Sequence, residues 1–249
     1  MTNTLTSLEE RLNGMAQQGL QQWFESQVRT LPHLPCPPKI LVINDLHAGD
    51  GGIGKHIDPL KASGMEPAIL DLLDIHQDYV WVCHEVWDIW RGYTEKACQD
   101  AHDNLYSIMI NKSADMEFLW LDSNHSKDEL ILPPAFIMEG YNKKFFFFHG
   151  HDPGDWPNSN EGWKIGRWVV RAADELGKDP MSSPHPSSSD RHVAVREMWK
   201  KLADDNPEWT FVCGHSYFQE YNGYWNSGSP LNGKLEYITI EEGEIQLHG

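Results

Sequence analysis

Cysteine is scarce in this chain. Four stand in 249 residues, at Cys36, Cys83, Cys98 and Cys213, and no two form a CxxC pair. That leaves no thiolate metal clip, and the apolar runs around them read as buried free thiols. Long apolar runs are missing too, which excludes a membrane-spanning helix. The first residues, MTNTLTSLEERLNG, lack the charged and apolar regions of a signal peptide, so a reducing, cytoplasmic setting is expected. Basic residues are few: 20 Lys and Arg against 37 Asp and Glu give a formal net charge of −17. A field of that sign repels polyanions and counts against a general nucleic-acid binder, which carries a basic face. It leaves room for a small phosphate-bearing substrate if bound metal ions make the site itself positive. The glycine-rich stretch from Ala48 to Gly54 lacks the Lys-Ser/Thr ending of a phosphate-binding P-loop.

What the chain does have is many Trp and His, 11 and 13 respectively, on a length that suits one sizeable α/β domain. Spacing predicts an N-terminal helix from Ser7 to about Arg29, with Ser7 and Glu10 forming a capping box. Pro32, Pro35, Pro37 and Pro38 then break the chain. Residues 1–38 are thus a helix and Pro-rich lead-in to a main body over 39–249. Apolar runs predict strands at 40–43, 78–83, 116–121, 145–148 and 209–213, and a closing hairpin around Glu241-Glu242-Gly243. Helices are expected at 67–76, 95–112, 161–176 and 190–204, the last two within a helical insertion at about 152–206. Pro180 to Ser189 reads as a loop joining them.

The five internal strands share one feature: each ends in side chains able to hold a metal. They are Asp45 and His47; His84, Glu85 and Asp88; Asn124 and His125; His149 and His151; and His215. A lone His at a strand end is commonly a satisfied polar residue. Five such endings point to one shared metal site. Within the first, side chains at i and i+2 of a strand point the same way, so Asp45 and His47 are expected to aim at one spot beyond the strand end.

In order, these segments resemble the motifs of the calcineurin-like metallophosphoesterase family, D-x-H, G-D-x-x-D, G-N-H-D/E, H and G-H-x-H. Here they stand as Asp45-Leu46-His47, His84-Glu85-Val86-Trp87-Asp88, Ser123-Asn124-His125-Ser126, His149 and Gly214-His215-Ser216-Tyr217, and Trp225-Asn226-Ser227-Gly228-Ser229 is similar to the N-x-G-S segment that often follows. The resemblance covers about residues 39–230. Glu85 to Gly92 looks most like the branch that hydrolyses UDP-2,3-diacylglucosamine, which also carries a helical insertion between its fourth and fifth motifs.

The resemblance implies a two-sheet β-sandwich flanked by helices in four layers, αββα. It implies hydrolysis of a phosphate mono- or diester by a metal-activated water. Two divalent ions are implied: manganese first, with iron, zinc or magnesium as alternatives. Carried over by position, Asp45, His47 and Glu85 hold the first ion, with Tyr217 as a doubtful fourth ligand; Glu85, Asn124, His149 and His215 hold the second. His125 stands where the family protonates the leaving oxygen. Asn124 and His125 also touch substrate, and Arg91 is a candidate phosphate contact, since its guanidinium forks onto phosphoryl oxygens. Asp88, His151 and His84 are expected behind the ligands, with Asp88 orienting one of them. The partner is a small phosphate ester; the sequence leaves the oligomeric state open.

The pattern departs from the family in two places that matter. Glu85 replaces Asp, which shifts the carboxylate by about an ångström. Tyr217 replaces the second His of G-H-x-H, and a neutral phenol is a poor ligand for most divalent ions. The expectation is a weakened first site, with Tyr217 either turned elsewhere or bound as a phenolate to iron. These departures also support a rival reading, a degenerate member that binds metal or ligand without catalysis. A nuclease of the same family is the other rival.

Overall fold

A computed structural model describes residues 18–51, 58–88, 94–115, 117–121, 123, 133–151 and 190–249. Two sheets face each other across an apolar core. The five-stranded sheet runs in the order β11 (Glu244–His248), β10 (Tyr237–Glu241), β2 (Lys39–Asn44), β3 (Val80–His84) and β4 (Phe118–Leu121). The six-stranded sheet runs β1 (His33–Pro35), β5 (Ala135–Gly140), β6 (Lys143–Phe148), β7 (Thr210–Cys213), β9 (Trp225–Asn226) and β8 (Glu220–Tyr221). Both sheets are mixed. β2, β3 and β4 are parallel to one another, as are β6, β7 and β9, while the hairpins β5–β6 and β10–β11 are antiparallel.

The apolar runs explain the layering. In β2, Ile40 and Val42 point into the core between the sheets, and Leu41 and Ile43 point outward to the helices. In β6, Phe145 and Phe147 fill the inner core, whereas Phe146 and Phe148 fill the outer one. Strands buried on both faces need no polar alternation, so they read as continuous apolar stretches. On one side the helices α2 (Pro59–Ser63), α3 (Glu66–Ile75), α4 (Glu95–Ala101) and α5 (Asp103–Ala114) cover the five-stranded sheet. On the other, α1 (residues 18–30) and α6 (Asp190–Asp205) cover the six-stranded sheet, α6 through Val195, Trp199, Leu202 and Ala203 at helical spacing. The result is the expected α/β sandwich of four layers.

Some elements differ from the sequence expectation. The single helix expected over 95–112 is broken at His102, which ends α4 and starts α5. The cause is a buried ion-pair cluster: His102 Nε2 lies 2.8 Å from Asp58 and its Nδ1 2.8 Å from Glu66. Strands β1, β5, β8 and β9 and the short α2 are additions. The helices expected over 7–17 and 161–176, and the Pro180–Ser189 loop, lie outside the described residues.

Candidate metal centre

The parallel ends of β2 and β3 build one half of the site. Asn44 and His84 are register partners at those ends, and the chain continues from them as two loops running side by side. Asp45 N–H donates to His84 O at 3.1 Å, His47 N–H to Glu85 O at 3.2 Å and Ala48 N–H to Val86 O at 2.8 Å. Parallel β6 and β7 build the other half, where Gly214 N–H donates to His149 O at 3.0 Å. A backbone-to-carboxylate bond joins the halves: His215 N–H donates to Asp45 Oδ2 at 2.8 Å.

Convergence does not come from strand pleating, as the i, i+2 argument expects. Asp45, His47, Glu85, His215 and Tyr217 all hold positive φ, between 47° and 69°. For residues with a Cβ this left-handed backbone costs about 1 kcal/mol or more each. It turns each side chain out of the pleat and into the gap between the sheet ends.

Glu85 is the centre. Its Oε2 lies 3.2 Å from His47 Nε2 and 3.3 Å from His149 Nε2. His215 Nδ1 and His149 Nε2 share a contact of 3.1 Å. The ligand atoms of Asp45, His47 and Glu85 lie within 4.8 Å of one another, as do those of Glu85, His149 and His215. Two triplets thus share one carboxylate, and the extra methylene of Glu85 does not keep it from both. Tyr217 is not turned elsewhere: its hydroxyl shares a 2.7 Å hydrogen bond with His47 Nε2. Behind His47, Asp88 Oδ2 is 3.8 Å from Nδ1. The His151 ring stands 5.5 Å from that of His149, and the His84 ring 6.0 Å from it.

The electrostatics of the cluster call for a cation. Asp45 and Glu85 are both buried. Burial and the neighbouring Glu85 carboxylate push the Asp45 carboxyl well above its usual range. Burial alone would lower His47, yet the carboxylates of Glu85 and Asp88 hold it up, at about 10. Burial keeps His84 neutral, with its pKa at about 3, and drives His149 well below the ordinary imidazole value. Buried Asp45 Oδ1 accepts no hydrogen bond from any described residue. Two carboxylates at this depth, with imidazole nitrogens of His47, His149 and His215 around them, are the donor set that divalent first-row metals take once the ligands lose their protons. The residues present therefore fit a dinuclear cation site.

No protein-family model matches the chain, and no curated protein does. Among solved structures it is similar to an archaeal phosphodiesterase, at 11% identity over 84% of this chain and 98% of that one, with a TM-score of 0.40. It is also similar to a dimetal phosphatase from Danio rerio, at 12% identity over 85% and 96%, with a TM-score of 0.42. A third is a single mutant of Vps29 from Entamoeba histolytica, at 16% identity over 84% and 97%, with a TM-score of 0.36. Likeness this distant leaves function to be read from the chain's own residues.

Those residues include several to which the sequence alone assigns no role. Ser229 Oγ donates to Asp45 O at 2.9 Å, Asn226 Nδ2 to Gly214 O at 2.7 Å, and Asn44 Nδ2 to Ser227 Oγ at 2.8 Å. The segment after β7 thus fastens both ligand loops from behind, and the N-x-G-S pattern was the available signal. Gly214 has a steric role: a Cβ there would stand 2.5 Å from Asp45 Oδ2 and 2.7 Å from Asn44 Cβ, so only glycine lets the two sheets approach. Arg91, Asn124 and His125 lie outside the described residues.

Proposed function

We propose that this chain is a metal-dependent phosphoester hydrolase of the calcineurin-like metallophosphoesterase kind. The observation that carries the reading is the shared vertex: buried Glu85 Oε2 within 3.3 Å of nitrogens from His47 on one side and His149 on the other. The ordered motifs from Asp45 to His215 support it independently.

Asp45, His47 and Glu85 would hold one divalent ion, and Glu85, His149, His215 and Asn124 a second. When bound, the ions supply Lewis acidity, lowering the pKa of water and offsetting charge on the phosphoryl oxygens. Two dications against two carboxylates leave about +2, enough to draw a phosphate ester to an acidic protein. Glu85, common to both triplets, would offset the repulsion between the two ions. The His215 amide fixes Asp45 Oδ2, which leaves Oδ1 directed to the ligand. Asp88 would orient the His47 ring through Nδ1, and Tyr217 stands at Nε2, the nitrogen that would meet the ion. His125, by motif position, protonates the leaving oxygen, and Arg91 grips the phosphate.

Manganese is the first metal to try, with iron favoured if Tyr217 binds as a phenolate. A cytoplasmic setting fits the free thiols, of which Cys83, Cys98 and Cys213 are buried. Among the described residues no helix is long and apolar enough to cross a membrane. The Glu85–Gly92 segment makes a UDP-linked lipid precursor the first natural substrate class to test.

The test is turnover by metal-stripped, manganese-reloaded protein on bis-p-nitrophenyl phosphate, a UDP-linked lipid precursor and single-stranded DNA. Metal-dependent hydrolysis of the first two supports the reading. DNA cleavage alone favours a nuclease. Bound metal with no turnover on any favours a binding protein.

A further inference from the structure

We propose that His84 is a substrate-binding residue whose ring N–H grips a non-bridging oxygen of the phosphoryl group; this rests on the phosphoester reading above. His84 is the last residue of β3, two positions after Val82, which lies in the core between the sheets. Its side chain enters that same interior at the floor of the site, and its ring stands nearly perpendicular to that of His149, with centroids 6.0 Å apart. It is completely buried, and among the described residues neither Nδ1 nor Nε2 has a hydrogen-bond partner.

Every imidazole carries at least one N–H, whatever its tautomer. Leaving that donor unpaired is costly, and such groups in folded proteins are commonly met by a water, an ion or a ligand. His84 belongs to neither of the two ligand triplets around Glu85. An anionic oxygen held beside Glu85 and His149 is the acceptor this position can reach and the one that rewards a donor most. In the motif this segment resembles, glycine stands here, so the donor is specific to this chain.

The experiment titrates inorganic phosphate into manganese-loaded protein by calorimetry, for the wild type, His84→Leu and His84→Gln, with manganese affinity measured separately for each. Leu matches the volume and removes both nitrogens, so folding is retained and is checked by thermal melting. The expected result is phosphate affinity about tenfold or more weaker in His84→Leu, partly recovered in His84→Gln, with manganese affinity and stoichiometry unchanged. Equal phosphate affinity in wild type and His84→Leu overturns the proposal. So does a loss of manganese in His84→Leu, which would make His84 a metal ligand. A wild type that takes up no manganese sinks the phosphoester reading itself, and this proposal with it.

Discussion

The Asp45 carboxylate accepts the backbone N–H of His215 at 2.8 Å across 170 positions of sequence. That one bond ties the end of β2 in one sheet to the end of β7 in the other. It also divides the labour of a single carboxylate: Oδ2 holds the fold together, while Oδ1 is left for a ligand. Asp45 cannot be replaced without disturbing both.

The close approach that makes this bond depends on Gly214. Gly214→Ala places a methyl 2.5 Å from Asp45 Oδ2 and 2.7 Å from Asn44 Cβ. We expect a loss of roughly 1–3 kcal/mol in urea unfolding, accompanied by weaker manganese binding measured by calorimetry. Unchanged stability and metal affinity would show that the sheet ends have more slack than these distances allow.

Tyr217 sits on the nitrogen of His47 that faces Glu85. Tyr217→His restores an imidazole at the last position of G-H-x-H, on a backbone with φ of 55° that histidine tolerates. Affinity for the weaker of the two manganese ions should rise about tenfold or more, since imidazole is the better ligand. Tyr217→Phe removes only the hydroxyl and should lower that affinity or leave it level. A fall in Tyr217→His would mean the phenol is itself a strong ligand, which absorption of the iron-loaded protein would reveal.

The buried cluster of His102, Asp58 and Glu66 gives a pH signature remote from the ligands. Burial opposes charge on both His102 and Asp58, but their mutual contact, with Glu66 as second partner, raises the first and lowers the second. The His102 contribution is complete below the unfolded value of 6.5 and fades as pH rises through its higher folded value. The Asp58 contribution is complete above 3.8 and fades as pH falls through its lower folded value. Urea unfolding of wild type and His102→Gln should therefore differ most between these limits, near pH 5, and less at pH 9. A gap that widens toward pH 9 would reverse the assigned charge states.

Strand placement was legible because a strand buried on both faces needs no polar alternation. Ile40 to Ile43 and Phe145 to Phe148 announce themselves on that ground. Strands of two or three residues carry no such signal: β8, β9 and the Pro-ended β1 are set by pairing partners. β5 was hidden for another reason, since its turn to β6 is Tyr141-Asn142, both at positive φ, without the glycine that marks such hairpins. At the candidate site the residue types were legible and their geometry was not. Nothing in Asp45, Glu85 or His215 as letters says that each takes a left-handed backbone. The break at His102 was likewise invisible, because it depends on Asp58, 44 positions away.

The account stands on Glu85 as the shared vertex of two cation sites, and elemental analysis tests it most directly. Wild type and Glu85→Ala are stripped, reloaded with manganese, dialysed and counted. The prediction is two ions per wild-type chain and fewer than one per Glu85→Ala chain, with hydrolysis of bis-p-nitrophenyl phosphate falling about a hundredfold or more in the variant. Two ions retained by a folded Glu85→Ala chain, or a wild type that holds none, would contradict it.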